Sequence, residues 1–289
     1  MDPTIARRTF RTLEPIHGMI YFTPDAVEQY AHLGVTHPRM GYFGSRVAAL
    51  GEASDALTIS TFYNFNPAVV RNAIPAVWSI TSAAKLLAAR HRAVDTSLRR
   101  AFGELVNSPH VIEAAELARR AALVASEHPH GRDLFAAHAA LEWPTEPHMV
   151  LWHAQTLLRE YRGDGHIAAL LVENLSGIEA LVSHAASGDV PAEVLRRSRG
   201  WSEGDWLGAI EDMRIDGILT DDETPTFTLQ GKDQREWIEH RTDTLALLPY
   251  VALGVEGCER LRELGRPLSK AVIDAGLMTV DPARFLGEG

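Results

Sequence analysis

Apolar residues recur at helical spacing along most of the chain, whereas strand-like alternation is scarce. Two long amphipathic stretches without proline, 83–105 and 111–127, predict helices. Further helices are predicted to begin near Pro24, Pro38 and Pro67, because proline is favoured at the first position of a helix. Thr23 is the expected N-cap of the first of these, and Pro75 is expected to kink or end the helix that follows Pro67. The pattern predicts a mainly α-helical protein.

The segment 147–185 is predicted to form two packed helices. Apolar periodicity covers 147–161 and 166–185, and Arg162-Gly163-Asp164-Gly165 between them has the composition of a tight turn. Helices joined by so short a connection pack as an antiparallel hairpin. The first two thirds of the chain are therefore expected to consist of packed helix hairpins.

A different order of elements is predicted after Ser187-Gly188-Asp189. Helices are expected over 190–199 and 203–216, the second capped by Ser202, and a third over 232–247. Short apolar runs at 218–220 and 227–229 flank an acidic turn and predict a β-hairpin. This order is typical of a winged helix. The predicted domains are a helical, pocket-forming region (1–188), a winged-helix-like module (189–248) and a C-terminal helical tail packing back on the core (249–289).

Several motifs resemble an actinobacterial family of helix-turn-helix proteins that is distantly similar to MarR-type regulators. The likeness extends over most of the chain, and no established activity comes with it. The motifs are Thr61-Phe62-Tyr63-Asn64-Phe65, Leu151-Trp152-His153, Arg162-Gly163-Asp164-Gly165-His166, Gly200-Trp201-Ser202, Trp206, Asp216-Gly217-Ile218-Leu219, Leu229-Gln230-Gly231 and Ile238-Glu239-His240-Arg241-Thr242-Asp243.

The charge of the helix-turn-helix segment opposes DNA binding. The chain has a formal net charge of −10, and the segment 203–223 holds eight acidic residues against one basic residue, Arg214. Binding to DNA draws much of its strength from neutralising phosphate. The small basic patch of Arg196, Arg197 and Arg199 is more typical of a solvated helix face or of salt-bridge partners. DNA is an improbable partner, and a packing or dimerising module is favoured, which leaves a homodimer as one option.

Composition limits the remaining classes. The single cysteine, Cys258, cannot form an internal disulfide, and neither a secretion signal nor a membrane span is indicated. A cytoplasmic protein is the expectation. Phosphate-binding glycine loops and nucleophile elbows are missing, and no His-x-x-x-His spacing indicates a metal. The cofactor is unknown from the sequence, and a metal site assembled from several helices stays open.

Histidines concentrate in one part of the chain, since six of the 13 lie between positions 128 and 166. His153 and Glu160 lie seven residues apart on one predicted helix face. Asp164 is expected to cap the helix that His166 begins, and the helix dipole would keep His166 neutral. A neutral imidazole beside a carboxylate is suited to general base catalysis. The candidate catalytic residues are His153, Glu160, Asp164 and His166.

The candidate ligand-binding residues come from two segments: Tyr63, Asn64, Asn66, Trp152 and Arg162. Polar groups within an aromatic wall are typical of small-molecule sites. Alternatively, Asn66 only caps the helix at Pro67, and Arg162 only pairs with Glu160 at a structural turn. The sequence thus favours a small-molecule-binding helical protein, with acid–base catalysis as an option. The rivals are a ligand-responsive transcription regulator and a non-catalytic sequestering protein.

Overall fold

A computed structural model describes residues 1–278, and the fold is mainly helical, as predicted. The α-helices are α1 (Thr4–Gly18), α2 (Pro24–Ala31), α3 (Pro38–Val47), α4 (Asp55–Thr61), α5 (Pro67–Arg71), α6 (Ala83–Phe102), α7 (Pro109–Ser126), α8 (Asp133–Ala139), α9 (Pro147–Val172), α10 (Gly177–Ala186), α11 (Ala192–Arg199), α12 (Glu203–Ile215), α13 (Leu229–Leu245), α14 (Leu248–Val251) and α15 (Gly254–Asp274). Short 3-10 helices occupy Met19–Tyr21, Ala48–Leu50, Ala76–Ser79 and Gly103–Asn107.

Local capping explains where several helices begin. Thr23 accepts a hydrogen bond from the Asp25 backbone N–H at 3.3 Å, and Pro24 takes the first helical position of α2. Ser202 likewise caps α12 by accepting from Asp205 N–H at 3.0 Å. Both predicted caps are confirmed. They satisfy N–H groups that have no partner inside the helix.

Helix α9 corrects the predicted helix hairpin. It runs without interruption from Pro147 to Val172, so Arg162-Gly163-Asp164-Gly165 is helical and not a turn. A Cβ atom on Gly165 would lie 2.6 Å from Arg132 Nη1 and 3.2 Å from Leu245 Cβ. Gly165 therefore serves close packing of the neighbouring segments against α9. A change of direction comes instead between α9 and α10, through Asn174, whose φ is 54°.

Helix α9 also joins two hydrophobic clusters. Its first half, including Leu157 and Leu158, belongs to a large core to which α1, α3, α6, α7 and α15 contribute. Its last turns, with Ala169 and Leu170, pack in a second cluster with residues of α10, α11, α12 and α13. Helix α15 lies against α1, where Ser269 donates to the Thr12 carbonyl at 2.6 Å. The division into three domains stays a prediction.

The predicted β-hairpin is wrong. Leu219 and Phe227 form one isolated antiparallel bridge, and residues 1–278 contain no strand. Thr228 accepts from Gly231 N–H at 3.0 Å and caps α13, which begins at Leu229. The chain thus enters a helix where the second strand was expected. The order of helix, helix, loop and helix over α11 to α13 remains, but the winged-helix assignment is not supported.

Among residues 1–278, no single helix has the length and apolar character needed to cross a membrane. Helices α9 and α10 reach those limits only when taken together across a 98° bend.

Candidate functional site

A cavity of about 410 Å³ lies beside the second half of α9. Its wall is completed by residues of α1, α3, α8, α10, α11 and α13 and by the segment 61–65 at the end of α4. Six predicted site residues line it: Tyr63, Asn64, Glu160, Arg162, Asp164 and His166. The two separate segments singled out in the sequence therefore meet at one cavity.

A second cavity, of about 550 Å³, adjoins the first and shares residues such as Tyr42, Phe65 and Arg199 with it. We call the two together the cleft. Its wall is rich in arginine, although the chain as a whole is acidic. The arginines are Arg7, Arg11, Arg39, Arg46, Arg159, Arg162, Arg199 and Arg235, and the acidic residues are Glu14, Glu160, Asp164, Asp189 and Glu239.

Glu160 is the centre of one ion-pair network. Its Oε1 atom accepts from Arg46 Nη2 at 3.0 Å and from Arg159 Nη1 at 2.8 Å. Burial alone would raise the pKa of Glu160, but the positive charges of Arg159 and Arg46 outweigh it and hold that pKa well below its ordinary value. Glu160 therefore stays ionised and anchors two arginines. This role is unlike the proton transfer predicted from the sequence.

Glu14 completes this network from α1. Its Oε1 atom lies 3.7 Å from Arg159 Nε. Burial raises the pKa of Glu14 to about 7, the opposing charge of Arg159 lowers it in part, and nearby Glu160 adds to the rise. Glu14 and Glu160 share Arg159, yet only Glu160 is firmly ionised. The difference follows from the number of guanidinium groups in contact with each carboxylate.

A second network ties α9 to α13 and α1. Arg162 Nη1 donates to Asp243 Oδ1 at 2.8 Å, and Arg7 Nη2 lies 2.7 Å from Asp243 Oδ2. Arg235 Nη2 pairs with Glu239 Oε1 at 2.9 Å. The alternative pairing of Arg162 with Glu160, considered from the sequence, does not occur. Arg162 instead helps hold α13 beside the cleft.

Arg199 and Arg39 are neighbouring cations at the cleft, and neither has a carboxylate partner among residues 1–278. The guanidinium carbons of Arg199 and Arg39 lie 4.9 and 5.8 Å from the Phe65 ring centroid. Arg199 Nη1 donates to Ser198 Oγ at 3.0 Å, and its Nε is buried without an acceptor. Burial and the like charges of Arg46, Arg39 and Arg159 lower the pKa of Arg199. Unlike Arg46 and Arg159, this guanidinium has no carboxylate within salt-bridge distance among residues 1–278.

His166 contributes a neutral imidazole to the cavity. The Thr242 hydroxyl donates to the Ile238 carbonyl at 2.8 Å, so His166 Nδ1, 2.8 Å from Thr242 Oγ1, must carry the hydrogen and donate. The Nε2 atom is left as an acceptor. Burial lowers the pKa of His166 to about 4. His166 lies within α9, so burial and not a helix N-terminus keeps it neutral.

Asp164 caps a neighbouring helix and not its own. Its Oδ2 atom accepts from Phe135 N–H at 3.0 Å in the first turn of α8. Burial raises the pKa of Asp164 to about 6, which the hydrogen bond from Phe135 partly opposes. The remaining carboxylate oxygen is available to the cavity that Asp164 lines. Its proton is therefore exchangeable close to neutral pH.

The aromatic segment 61–66 is hydrogen-bonded to the connection between α9 and α10 and to the connection between α11 and α12. Tyr63 donates its hydroxyl hydrogen to the Leu175 carbonyl, and Trp201 Nε1 donates to the Asn64 carbonyl at 2.9 Å. Asn66 accepts from Ala68 N–H at 2.9 Å and caps α5, which is the alternative considered from the sequence. Tyr63 and Asn64 line the cleft, whereas Asn66 does not.

His153 and Trp152 lie apart from the cleft. The His153 ring meets Trp143 edge-on at 4.7 Å between centroids, and burial lowers its pKa to about 4, helped by the charge of His91. Trp152 is 2% exposed and stacks on His17 at 6.1 Å. Of the four candidate catalytic residues, His153 is therefore the one that the fold separates from the others.

Sequence reasoning missed Arg46, Arg199 and Tyr42. Arg46 lies 4.4 Å from the Phe62 ring centroid and donates to the Tyr42 hydroxyl at 2.9 Å. Burial would raise the pKa of Tyr42, but the charges of Arg46, Arg199 and Arg159 outweigh it and lower that pKa. The one available signal was an arginine on the apolar face of the helix at Pro38. Nothing local indicated its partner.

The segment 203–223 keeps its acidic character in the fold. Arg214, its one basic residue, donates to the carbonyls of Thr220 and Asp222 at 3.1 and 2.7 Å. Arg196 pairs with Glu193 of the same helix at 2.7 Å. Arg199, the third residue of the basic patch, lines the cleft. Among residues 1–278, no group of three or more histidine, cysteine or acidic side chains is arranged to hold a metal ion.

A sequence model of the helix-turn-helix family matches residues 6–279, and the chain belongs to this family. No curated protein and no solved structure matches the chain.

Proposed function

We propose that this helix-turn-helix family protein binds a small anionic molecule with an aromatic or apolar body in the cleft. The observation that carries the proposal is Arg199, a half-buried guanidinium whose Nε is buried without an acceptor and which has no carboxylate partner among residues 1–278. Leaving a buried charge uncompensated is costly, whereas a bound carboxylate or phosphate would compensate it. Arg39 adds a second positive charge on the same Phe65 ring.

The rest of the wall supports a ligand with an apolar portion. Phe62, Phe65 and Tyr42 present rings within 6.1 Å of one another. Tyr63 and Asn64 supply polar groups from the same segment, which is the mixture that small-molecule sites use. An anionic end at Arg199 and an aromatic body along Phe65 would fit this arrangement.

The test uses benzoate and phenyl phosphate as probes, with benzamide as the neutral counterpart. We expect both anions, but not benzamide, to raise the unfolding temperature and to give a saturable calorimetric binding signal. Arg199→Met should weaken binding of the anions roughly 10- to 100-fold, the usual effect of losing hydrogen bonds to a charged group. Equal binding of benzamide and benzoate would contradict the proposal.

Arg197→Met is the matched control. Arg197 lies on the same helix, its side chain is 76% exposed, and its acidic contact is Glu193 at 3.7 Å. This variant should bind the probes as the unmodified chain does. Mass spectrometry of small molecules that copurify with the protein would then identify the natural anion.

Catalysis is an extension of this proposal that rests on Asp164 and His166. A carboxyl group with a pKa of about 6 and an imidazole with a free Nε2 both line the cavity and could exchange protons with a bound molecule. If the protein is an enzyme, His166→Ala removes turnover while probe binding persists. If it only binds or sequesters its ligand, the same change weakens binding and no turnover exists to be lost.

Transcription regulation is the second candidate, and membership of the helix-turn-helix family favours it. Arg199 is the last residue of α11, and Gly200 leads directly to α12, so a ligand on Arg199 would act next to this helix pair. We nevertheless expect no retardation of DNA at near-physiological salt, because α12 repels phosphate. A salt-sensitive complex of micromolar strength, lost when Arg196, Arg197 and Arg199 are neutralised, would support regulation instead.

A further inference from the structure

Arg90 is an arginine inside the main core, away from the residues of the proposed ligand site. It lies on α6 and is 1% exposed. Its guanidinium carbon lies 5.3 Å from the Trp152 ring centroid and 5.6 Å from the Tyr21 ring centroid. Within residues 1–278 it forms no ion pair, and its Nε and Nη1 atoms are buried without an acceptor. Arg90 is thus a buried cation with aromatic contacts and no carboxylate partner among residues 1–278.

Two other buried arginines have carboxylate partners, and a third, Arg132, donates to the carbonyls of Tyr161 and Leu245. Arg46 pairs with Glu160 at 3.0 Å, and Arg262 pairs with Glu259 at 2.7 Å. A guanidinium remains charged in proteins, and removing it from water is costly unless an anion accompanies it. Contacts with aromatic faces offset only part of this loss of hydration free energy. The contrast with Arg46 and Arg262 indicates that Arg90 has a partner from outside the chain.

Several polar groups around Arg90 offer hydrogens or are already engaged, whereas the nearby Tyr30 hydroxyl is itself buried without a hydrogen-bond partner. Trp152 Nε1, which can only donate, is also buried without a partner. His17 has both ring nitrogens engaged: Nδ1 lies 3.0 Å from Thr156 Oγ1, and Nε2 lies 2.7 Å from the Tyr21 hydroxyl. Thr156 gives its own hydrogen to the Trp152 carbonyl at 3.0 Å. The missing partner must therefore be an acceptor, and negative charge suits it best.

Tyr21 connects this place with the cleft. It lines the larger cavity, and the guanidinium carbons of Arg46 and Arg159 lie 5.2 and 5.7 Å from its ring centroid. Arg90 approaches the same ring at a comparable distance. A small anion attracted into the arginine-rich cleft would reach Arg90 by passing the Tyr21 side chain. Arg90 and Trp152 are buried and line neither cavity, so an anion beside them can only be of atomic size.

We infer that Arg90 binds a small monovalent anion, of the size of chloride, beside the Trp152 indole. The inference is independent of the proposed ligand site, because it depends on the Arg90 guanidinium and not on Arg199. Such an anion would supply beside Arg90 the negative charge that residues 1–278 do not place there.

The test compares the unfolding temperature of the full chain in chloride, bromide and gluconate at constant ionic strength. Chloride and bromide should raise it saturably, by roughly 2 to 4 °C at about ten times the dissociation constant. Arg90→Met should abolish the difference between the salts. Arg262→Met removes a buried arginine that already has a carboxylate, so its response should match that of the unmodified chain. The response of Arg197→Met, which changes an exposed arginine, should match it as well.

Crystals grown in bromide give a second measurement that needs no variant. An anomalous bromine peak within hydrogen-bond distance of Arg90 Nε or Nη1 would establish the site. Water alone at that position would overturn the inference. A halide response that survives in Arg90→Met, or that disappears in Arg199→Met instead, would equally overturn it and place the anion in the cleft.

Discussion

Arg46 of α3 and Glu160 of α9 form an ion pair of 3.0 Å with side chains that are 7% and 3% exposed. The two residues are 114 positions apart, so the pair fixes the distance between segments that the chain brings together only on folding. It also sets one wall of the cleft. Its loss should therefore affect both stability and ligand binding.

Replacing Glu160 with glutamine leaves Arg46 and Arg159 with an uncharged partner. We expect the free energy of unfolding to fall by about 3 to 5 kcal/mol, the usual cost of breaking a buried ion pair by removing one member. Urea denaturation measures it. Glu113→Gln is the control, because the Glu113 and Arg260 side chains are 43% and 47% exposed and an exposed pair contributes little to stability. Similar losses in the two variants would contradict the assigned role.

Gly165→Ala should destabilise the protein although alanine favours helices. The new Cβ would lie 2.6 Å from Arg132 Nη1, and Arg132 donates to the Leu245 carbonyl at 3.0 Å. We expect a loss of about 1 to 3 kcal/mol, typical of overpacking. At Gly163 the nearest atom to a new Cβ is Glu160 Oε2 at 3.7 Å, so Gly163→Ala should gain up to about 1 kcal/mol. Thermal unfolding of both variants checks the opposite signs.

Asp164 should lower stability as the pH rises from about 4 to about 6. Its pKa is raised from 3.8 to about 6 in the folded state, so the folded protein holds the proton more tightly than the unfolded chain in that range. Asp164→Asn keeps an oxygen for Phe135 N–H and removes the charge. It should be more stable than the unmodified chain by about 2 to 3 kcal/mol at pH 8 and equal to it near pH 4. If the urea midpoints of Asp164→Asn and the unmodified chain changed in parallel across this pH range, the raised pKa of Asp164 would be disproved.

His153, unlike Asp164, should increase stability as the pH rises. Its pKa is lowered from 6.5 to about 4 in the folded state, so its contribution to stability is complete above pH 6.5 and is lost as the pH falls towards 4. Between pH 8 and pH 5 the unmodified chain should lose about 2 kcal/mol more than His153→Phe, which keeps a ring beside Trp143. Proton NMR titration of His153 is the direct check. An imidazole signal that titrates near 6.5 would refute the prediction.

The candidate site could be predicted in part because its polar residues lie close together in sequence. Glu160, Arg162, Asp164 and His166 fall within two turns of one helix, and the segment with Tyr63 and Asn64 stands out by composition. The roles of these residues were harder to predict. Asp164 caps another helix and Glu160 anchors arginines, because each finds its partner on a distant segment.

The sequence by itself determined the helical class and many helix starts, since caps and apolar periodicity act within a few residues. Thr23 and Ser202 show this directly. Tertiary structure alone decided that α9 is continuous and that the chain from Leu229 onward forms α13 instead of a second strand. It also decided that Arg46, Arg199 and Glu160 meet at one cleft. A glycine that permits a turn also permits close approach, and an ion pair across 114 residues has no local signature. Only packing selects between such outcomes, because the free energies that decide them come from contacts between distant segments.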